Sequence, residues 1–264
     1  MHNTYEDFKV EILRMTSIDL TSYKERQMKR RIDSLISKNQ FDNYPDYIMA
    51  LKTNKEIYNE FINYITINVS EFFRNYSQWE VLEKDILPYL LSKSRSIKIW
   101  SAACSTGEEP YSLVMLLTKF MPIEKIRIVA TDIDKEILCK AQNGLYGEKS
   151  IDSVPQEFKK FFVKEGEFIR IKDEVKRCVS FSFHNLLKDP FPSNCDMIVC
   201  RNVMIYFTEE AKVEIYKKFN KSLNKEGILF VGSTEQIILC NKYNLVPRKT
   251  FFYRKEDELD ANSN

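Results

Sequence analysis

Residues 99–117, IWSAACSTGEEPYSLVMLL, constrain the fold more than any other stretch of the chain. Apolar residues typical of a buried strand lead into a loop of small residues, and an amphipathic helix is predicted to open at Pro110. A strand, a tight loop and a helix that starts with acids are typical of a nucleotide-binding cradle in an α/β sheet. The pattern therefore predicts an α/β domain with a cofactor at this loop.

The loop lacks the glycines of a dinucleotide-binding motif. Small residues with side chains occupy positions 102–105, where glycines would let the backbone approach a pyrophosphate. Glu108 and Glu109 at the helix start would repel a diphosphate, and no lysine is present for a P-loop contact. S-adenosylmethionine, which carries a ribose, an adenine, an amino acid and a sulfonium but no phosphate, fits better. The alternative is that the two glutamates only cap the helix.

A second strand, turn and helix pattern follows in residues 126–138, IRIVATDIDKEIL. An acid at the end of such a strand, roughly 20 residues beyond the loop, typically accepts hydrogen bonds from ribose hydroxyls. We assign this role to Asp132, and the N-cap of the following helix to Asp134. The exchange of these two roles remains an alternative.

Composition excludes several classes of protein. The 264 residues suffice for two domains, and a net charge of +2 implies no polyanionic partner. No apolar run reaches the ~18 residues of a membrane-spanning helix, and the acidic N-terminus is unlike a signal peptide. Six scattered cysteines without CxxC pairs indicate a reducing, cytoplasmic location. His2 and His184 are the two histidines of the chain. Because these are too few to favour a histidine-based metal site or a Ser-His-Asp triad, no metal is predicted.

Residues 1–66 form a predicted all-helical N-terminal domain, with helices over 5–15, 20–38, 44–52 and 56–65. The second helix contains the basic run KERQMKRR. Its cations could form a docking strip for an acidic partner helix, or simply a solvated face. They are Lys24, Arg26, Lys29, Arg30 and Arg31.

Residues 67–96 are predicted to be a linker, with a short helix around 71–74 and a longer, cofactor-covering one over 78–91. A Rossmann-like domain is expected over 97–264, with helices between most of its strands. Its predicted strands are 98–103, 127–133, 178–184, 196–201 and 228–233, and the tail suggests a closing antiparallel hairpin. Residues of about 150–177 are expected to insert a small antiparallel β subdomain on the main sheet, with a plain connector as the alternative.

Polar residues also follow the later strands. Asn185 follows the third predicted strand, Arg201 and Asn202 follow the fourth, and Tyr206 lies just beyond. Ligands in open α/β sheets bind at the carboxyl ends of the strands. These residues are therefore candidates for the same site as the loop and Asp132.

Five motifs occur in order along the chain: NVSEFFRN, WSAACSTGEEPYS, ATDIDKEIL, FHNLL and CRNVMIYF. Together they resemble the CheR-type chemoreceptor glutamate methyltransferases of bacterial chemotaxis, from about residue 5 to residue 253. The basic helix YKERQMKRRI is similar to the N-terminal domain of that family. One departure is Ser70, where the family often has threonine, but the hydroxyl is kept.

The resemblance implies methyl esterification of glutamate side chains on the cytoplasmic helices of chemoreceptors, with S-adenosylmethionine as donor and S-adenosylhomocysteine as product. It places Arg74 and Tyr206 near the transferred methyl group as catalytic residues. Glu108 would hold the methionine amino group and Asp132 the ribose. Asn185 and Leu186 would flank the adenine, and Arg201 and Asn202 would close the pocket. The residues carried over to the linker side of the cofactor pocket are Asn68, Ser70 and Arg74.

The resemblance also bears on partners. The basic strip would steer acidic receptor helices toward the cleft, and a monomer is the default expectation. In the family, the β insertion can bind the C-terminal pentapeptide of a receptor by strand addition. The corresponding KEGEF loop is short, with Gly166 as its one glycine, so we predict action independent of the pentapeptide.

Two rival functions remain open at the level of sequence. The first is a nucleic-acid methyltransferase on the same fold, whose basic helix would hold phosphates. The small net charge and the absence of an NPPY or DPPY tetrapeptide argue against it, so no nucleic-acid partner is expected. The second is a non-catalytic module that binds S-adenosylmethionine and regulates a partner.

Overall fold

A computed structural model of the chain describes residues 4–94 and 96–256. The chain divides into two compact units, Met1–Asn68 with Tyr206–Ile215, and Val69–Ile205 with Tyr216–Asn264. The first unit ends at Asn68 and takes up Tyr206–Ile215 as well. The domain boundaries predicted after residues 66 and 96 stay a prediction. Within the described ranges, no helix combines the length and the apolar character needed to cross a membrane. His2 lies outside these ranges.

The first unit is helical. Its helices are α1 (Tyr5–Thr16), α2 (Glu25–Lys38), α3 (Tyr44–Thr53) and α4 (Lys55–Thr66). Side-chain oxygens of Thr4, Asn43 and Asn54 accept hydrogen bonds from backbone amides at three of the helix starts, as N-caps do. Phe8 and Phe61 are fully buried in its aromatic core, edge to face at 6.1 Å between ring centroids.

The single helix predicted over 20–38 is wrong. A 3-10 turn, Leu20–Ser22, is separated from α2 by two residues in a more extended conformation. The Lys24 amide donates to the carbonyl of Tyr206 at 2.9 Å, and Tyr23 forms an isolated antiparallel bridge with Phe207. Pairing with another segment replaces the helical hydrogen bonds, which helical periodicity alone could not reveal.

The second unit begins with irregular turns and then a long helix. That helix runs through α5 (Tyr76–Val81), a π-helical turn (Leu82–Ile86) and α6 (Leu87–Lys93). The short helix predicted around 71–74 is wrong, because Phe73 and Asn75 have left-handed backbones with φ of 52° and 59°. The Phe73 amide donates to Ser112 Oγ at 3.1 Å instead of to a helical carbonyl.

The remaining elements build two sheets. The strands are β1 (Ile99–Ala102), β2 (Ile128–Asp132), β3 (Leu145–Gly147), β4 (Phe162–Glu165), β5 (Phe168–Ile171), β6 (Val179–Phe183), β7 (Cys195–Cys200), β8 (Leu223–Val231), β9 (Leu245–Lys249) and β10 (Phe252–Lys255). The helices are α7 (Glu108–Leu117), α8 (Lys135–Asn143), α9 (Asp173–Lys176) and α10 (Glu209–Ser222).

The larger sheet has seven strands in the order β6-β2-β1-β7-β8-β10-β9. Strands β6, β2, β1, β7 and β8 are parallel, and the hairpin β9–β10 is antiparallel. The five predicted strands and the closing hairpin are confirmed. Because the parallel strands point the same way, the loops after β1, β2, β6 and β7 meet at one edge of the sheet.

The smaller sheet has the order β3-β5-β4 and is separate from the larger one. The antiparallel β subdomain expected over about 150–177 is present as β4 and β5 on either side of Gly166, and a 3-10 segment, Gln156–Phe161, precedes these strands. Strand β3 was not predicted, since it lies before the expected range of 150–177 and has only three residues.

Helix α7 is buried along its whole length, so the expectation of an amphipathic helix is wrong. It contacts β2 and β6 of the large sheet, as well as α9 and the 3-10 segment beside the small sheet. Strands of the large sheet and helical segments beside the small sheet therefore cover it. The first turn of α7, where the two glutamates lie, is therefore packed on several sides.

Candidate active site

The loop between β1 and α7 adopts the left-handed conformations that glycine usually supplies. Ala103, Ser105 and Gly107 have φ of 66°, 50° and 93°. Gly107 is also tightly surrounded, because an added Cβ would lie 3.0 Å from Ala141 Cβ and 3.2 Å from the Tyr111 ring. The loop thus keeps the turn of a nucleotide cradle while carrying side chains where the backbone of a dinucleotide binder would be bare.

Asp132, at the end of β2, is buried and anchors this loop. Its Oδ2 accepts a hydrogen bond from the Ser105 amide at 2.8 Å, and its Oδ1 accepts one from the Asp134 amide at 3.1 Å. Burial raises the pKa of Asp132 to about 6, against the lowering by these amides. Asp134 caps α8 by accepting from the amides of Glu136 and Ile137, as predicted.

Glu108 lies at the start of α7 with its side chain buried. Thr106 Oγ1 donates to Glu108 Oε2 at 2.6 Å, and the Ser70 hydroxyl also bonds to this carboxylate. Burial outweighs these bonds and raises the pKa of Glu108. These partners are hydroxyls and carry no positive charge, so they leave the charge of Glu108 unneutralised.

Arg201 follows β7 with its side chain 2% exposed. Its Nη2 donates to the Arg74 carbonyl and to Gln78 Oε1, both at 2.7 Å. Its Nη1 lies 3.5 Å from Oε2 of Glu109, whose Oε1 accepts from Ser101 Oγ at 2.8 Å. Sequence reasoning missed the roles of Gln78 and Glu109, although the position of Glu109 in the GEEP motif marked it as a candidate.

Arg74 itself is half-buried. Its Nη1 donates to the Val69 carbonyl at 3.2 Å, and its own carbonyl also accepts from the Trp79 indole at 3.0 Å. Hydrogen bonds therefore join the 69–78 segment to the loops at the strand ends. Ser70 bonds to Glu108, and the Arg74 carbonyl bonds to Arg201.

Asn202 has a left-handed backbone with φ of 61°. Its amide donates at 2.6 Å to Glu235 Oε2, which also accepts from the Gly232 amide at 2.9 Å. The other oxygen, Oε1, accepts from the Ile205 amide at 3.3 Å. The buried Glu235 therefore holds the loop after β7 to the end of β8. Sequence reasoning missed it, and the only signal was an acid shortly after a predicted strand.

Asn185 and Leu186 follow β6 and are buried. Asn185 Oδ1 accepts from the Leu187 amide at 2.9 Å, and the Asn185 amide donates to Asp189 at 2.8 Å. This local turn places both residues at the same edge of the sheet as Asp132. Their predicted position beside an adenine stays a prediction.

Two predicted site residues, Asn68 and Tyr206, belong to the first unit. Asn68 Nδ2 donates to Thr66 Oγ1 at 2.8 Å, and the Tyr206 carbonyl accepts from the Lys24 amide at 2.9 Å. The predicted place of Asn68 in the cofactor pocket stays a prediction, as does that of Tyr206 near the transferred methyl group. Among residues 4–94 and 96–256, no group of three His, Cys, Asp or Glu side chains could hold a metal.

Two family descriptions match the chain. "CheR methyltransferase, all-alpha domain" matches residues 3–66, and "CheR methyltransferase, SAM binding domain" matches residues 68–252. The chain belongs to the CheR methyltransferase family.

Similar CheR proteins extend the match to nearly the whole chain. The chemotaxis protein methyltransferase of Listeria innocua is 42% identical over 97% of this chain and 98% of its own length. That of Borreliella burgdorferi is 35% identical over 83% of each chain. The solved structure of an O-methyltransferase family 2 protein from Planctomyces limnophilus is 17% identical, with a TM-score of 0.34 over 51% of this chain and 31% of that chain.

As a CheR methyltransferase, the chain uses S-adenosylmethionine as methyl donor and releases S-adenosylhomocysteine. The residues present fit this cofactor. Among the described residues no cation pairs with the buried carboxylate of Glu108, which can therefore accept from an ammonium group, and Asp132 offers oxygens that keep free lone pairs. The loop has no lysine or arginine to neutralise a diphosphate.

The basic strip of this CheR chain is divided between internal and outward contacts. Lys29 pairs with Asp33 at 2.7 Å, and the Arg31 guanidinium donates to the Tyr64 carbonyl of α4. Arg26 and Arg30 are exposed and line a shallow groove along α2. Lys24, just before α2, is half-buried.

Proposed function

We propose that this methyltransferase esterifies glutamate side chains on the cytoplasmic helices of bacterial chemoreceptors. The observation that carries the proposal is the 42% identity, over 97% of the chain, to a protein named chemotaxis protein methyltransferase. We further propose that the enzyme is cytoplasmic, acts as a monomer and does not insert into the membrane. Its partners would be the helices of chemoreceptors, and it would not bind nucleic acid.

The cofactor would be held by residues from the loop and the strand ends. Glu108 takes the methionine ammonium, and Asp132 takes the ribose hydroxyls. Asn185 and Leu186 flank the adenine, while Asn202 closes the pocket with the backbone of Arg201. Asn68, Ser70 and Arg74 contribute from the segment before the long helix, with Ser70 acting through its bond to Glu108.

The chemistry asks little of the protein beyond alignment. When bound, the cofactor supplies an electrophilic methyl carbon on a sulfonium sulfur, which leaves as a neutral thioether. A substrate glutamate is already anionic at neutral pH, so no general base is needed. The chain must therefore orient the carboxylate and exclude water, and both tasks suit a largely buried site.

Arg74 and Tyr206 are the proposed catalytic residues. Arg74 would hold one oxygen of the substrate carboxylate and leave the other free to react. A bidentate pair would stabilise the ground state and weaken the nucleophile, so the bond from Arg74 Nη1 to the Val69 carbonyl helps by occupying one donor. The hydroxyl of Tyr206 would lie near the reacting oxygen.

Docking would rely on the exposed cations of α2. Arg26 and Arg30 face outward and can attract acidic receptor helices, with Lys24 beside them. Lys29 and Arg31 would serve mainly to hold the strip in place, because their charges already contact Asp33 and the Tyr64 carbonyl.

The decisive experiment is the transfer of labelled methyl groups from S-adenosylmethionine to receptor-containing membranes. Release of the label by mild base identifies a carboxyl methyl ester. Base-stable label on RNA or DNA would support the nucleic-acid rival instead. Cofactor binding without turnover on any receptor would support the regulatory rival.

We also propose that activity is independent of a receptor pentapeptide, because only two residues, Gly166 and Glu167, connect β4 to β5. Calorimetry with the peptide Asn-Trp-Glu-Thr-Phe should give no measurable heat of binding. Micromolar affinity would contradict this proposal, and a scrambled peptide of the same composition is the control.

A further inference from the structure

Arg201 lies at the centre of a buried cluster that the proposed chemistry does not use directly. The planar guanidinium presents a fork of donors, and one nitrogen serves both the Arg74 carbonyl and Gln78 Oε1 at 2.7 Å. Both acceptors lie in the segment that carries Arg74, far along the chain from Arg201. The fork therefore ties that segment to the end of β7.

The surroundings of Arg201 hold the guanidinium in place. Glu109 lies 3.5 Å away on the other side of the fork and is itself bonded to Ser101 of β1 at 2.8 Å. The guanidinium carbon lies 4.7 Å from the centroid of the Phe230 ring and 5.7 Å from that of Trp79. Such rings favour a cation over their faces. The side chain has little freedom to move.

The backbone that Arg201 contacts is not stabilised by regular secondary structure. The residues on either side of Arg74, Phe73 and Asn75, are left-handed, so no helical ladder fixes the Arg74 carbonyl. That carbonyl is held by Arg201 and by the Trp79 indole, which donates at 3.0 Å. The direction in which the Arg74 side chain leaves the backbone thus depends on these two donors.

Energetic considerations favour positioning over stability as the role of the cluster. A buried ion pair often stabilises a fold no more than a well-packed apolar pair would, because both charges lose their hydration. A lysine would keep the charge but lose the planar fork. The feature that only arginine supplies here is simultaneous contact with Gln78, Glu109 and a backbone carbonyl.

We propose that Arg201 is a positioning residue that fixes the backbone at Arg74, with Glu109 fixing Arg201 in turn. The consequence for catalysis rests on the proposed function of Arg74, whereas the structural part does not. The resemblance implied only that Arg201 helps to close the cofactor pocket, and the positioning role goes beyond that.

The structural part is tested by hydrogen exchange on the intact chain. Arg201→Lys should speed exchange of the amides of residues 74–78 by at least about tenfold, because a lysine keeps the charge but cannot contact the Arg74 carbonyl, Gln78 and Glu109 at the same time. Glu109→Gln should act in the same direction and serves if the lysine variant does not fold. Arg254→Lys, at an arginine paired with Glu226 at 3.3 Å, is the matched control and should leave these amides unchanged. Unchanged exchange in both test variants would overturn the proposal.

The catalytic part is tested by a double-mutant cycle. Arg74→Ala removes the side chain but keeps the carbonyl that Arg201 holds. Arg201→Lys should lower kcat about tenfold or more in the wild-type background, with a smaller change in cofactor affinity, and should have almost no further effect on kcat beside Arg74→Ala. Additive losses would overturn the link to catalysis. Faster exchange in a chain that methylates no receptor would instead show that the proposed function fails while the positioning holds.

Discussion

At the scale of single residues, Glu108 has the sharpest expected effect. Its carboxylate is bonded to hydroxyls of Thr106 and Ser70, so an ammonium would find an unneutralised charge. We expect Glu108→Gln to raise the Kd for S-adenosylmethionine about 10- to 100-fold, the range for a lost charged hydrogen bond. Calorimetry measures this, with the exposed Glu124→Gln as control. An unchanged Kd would reduce Glu108 to a helix cap.

Asp132 should link cofactor binding to pH. Its pKa is about 6 in the free protein because of burial, and ribose hydroxyls donate stronger hydrogen bonds to an ionised carboxylate than to a protonated one. Binding therefore selects the ionised form, so affinity should be full above pH 6 and fall by up to about tenfold per pH unit below it.

Proton release gives the measurement for Asp132. At pH 6 binding should release about half a proton from this carboxyl. Calorimetry in two buffers of different ionisation enthalpy counts these protons. The number of protons released by the wild type, minus the number released by Asp132→Asn, gives the contribution of Asp132 separately from that of Glu108. Equal numbers for the two proteins would contradict the assignment.

At the scale of elements, the turn into α7 depends on one glycine. At Gly107 both a φ of 93° and close neighbours oppose a side chain, whereas Gly166, with φ of 63°, has nothing within 4 Å of an added Cβ. We expect Gly107→Ala to lower the free energy of unfolding by about 2–4 kcal/mol and Gly166→Ala by about 1 kcal/mol. Urea denaturation measures the loss of unfolding free energy in both variants, and the difference between the two losses reports the close packing around Gly107. Equal losses would mean that the neighbours of Gly107 move aside for a Cβ at no cost.

The outward face of α2 should govern affinity for the receptor. Reversing the exposed charges in Arg26→Glu with Arg30→Glu should raise the KM for receptor membranes at least about tenfold at low salt and leave cofactor affinity unchanged. The difference should shrink as salt rises, since exposed charges are screened. A fall in cofactor affinity would instead make α2 a support for the pocket. Arg31 is a poor choice for this test, because its guanidinium bonds to the Tyr64 carbonyl of α4.

At the scale of the whole molecule, the parallel strands were the most predictable part. Strands such as β1 and β7 are buried on both faces, so their apolar runs stand out in the sequence. The acids after β1 and β2 were also recognisable, because the position of a strand end fixes where a ligand can approach.

The irregular segments could not be predicted in the same way. The breaks at Lys24 and Phe73 arise where a backbone amide bonds to a partner distant in sequence. The roles of Gln78 and Glu235 have the same origin, because each side chain bonds to a loop at another strand end. Local periodicity carries no record of such partners.

The left-handed residues in the loop after β1 bear on how fast the cofactor can enter. Ala103 and Ser105 hold conformations that most side chains disfavour, and amides of the loop are bonded to β2 residues Thr131 and Asp132. A loop of glycines would sample many shapes when empty and would have to be ordered at each encounter. With side chains the loop has few alternatives to sample, so we expect association to follow single-exponential kinetics whose rate rises linearly with cofactor concentration.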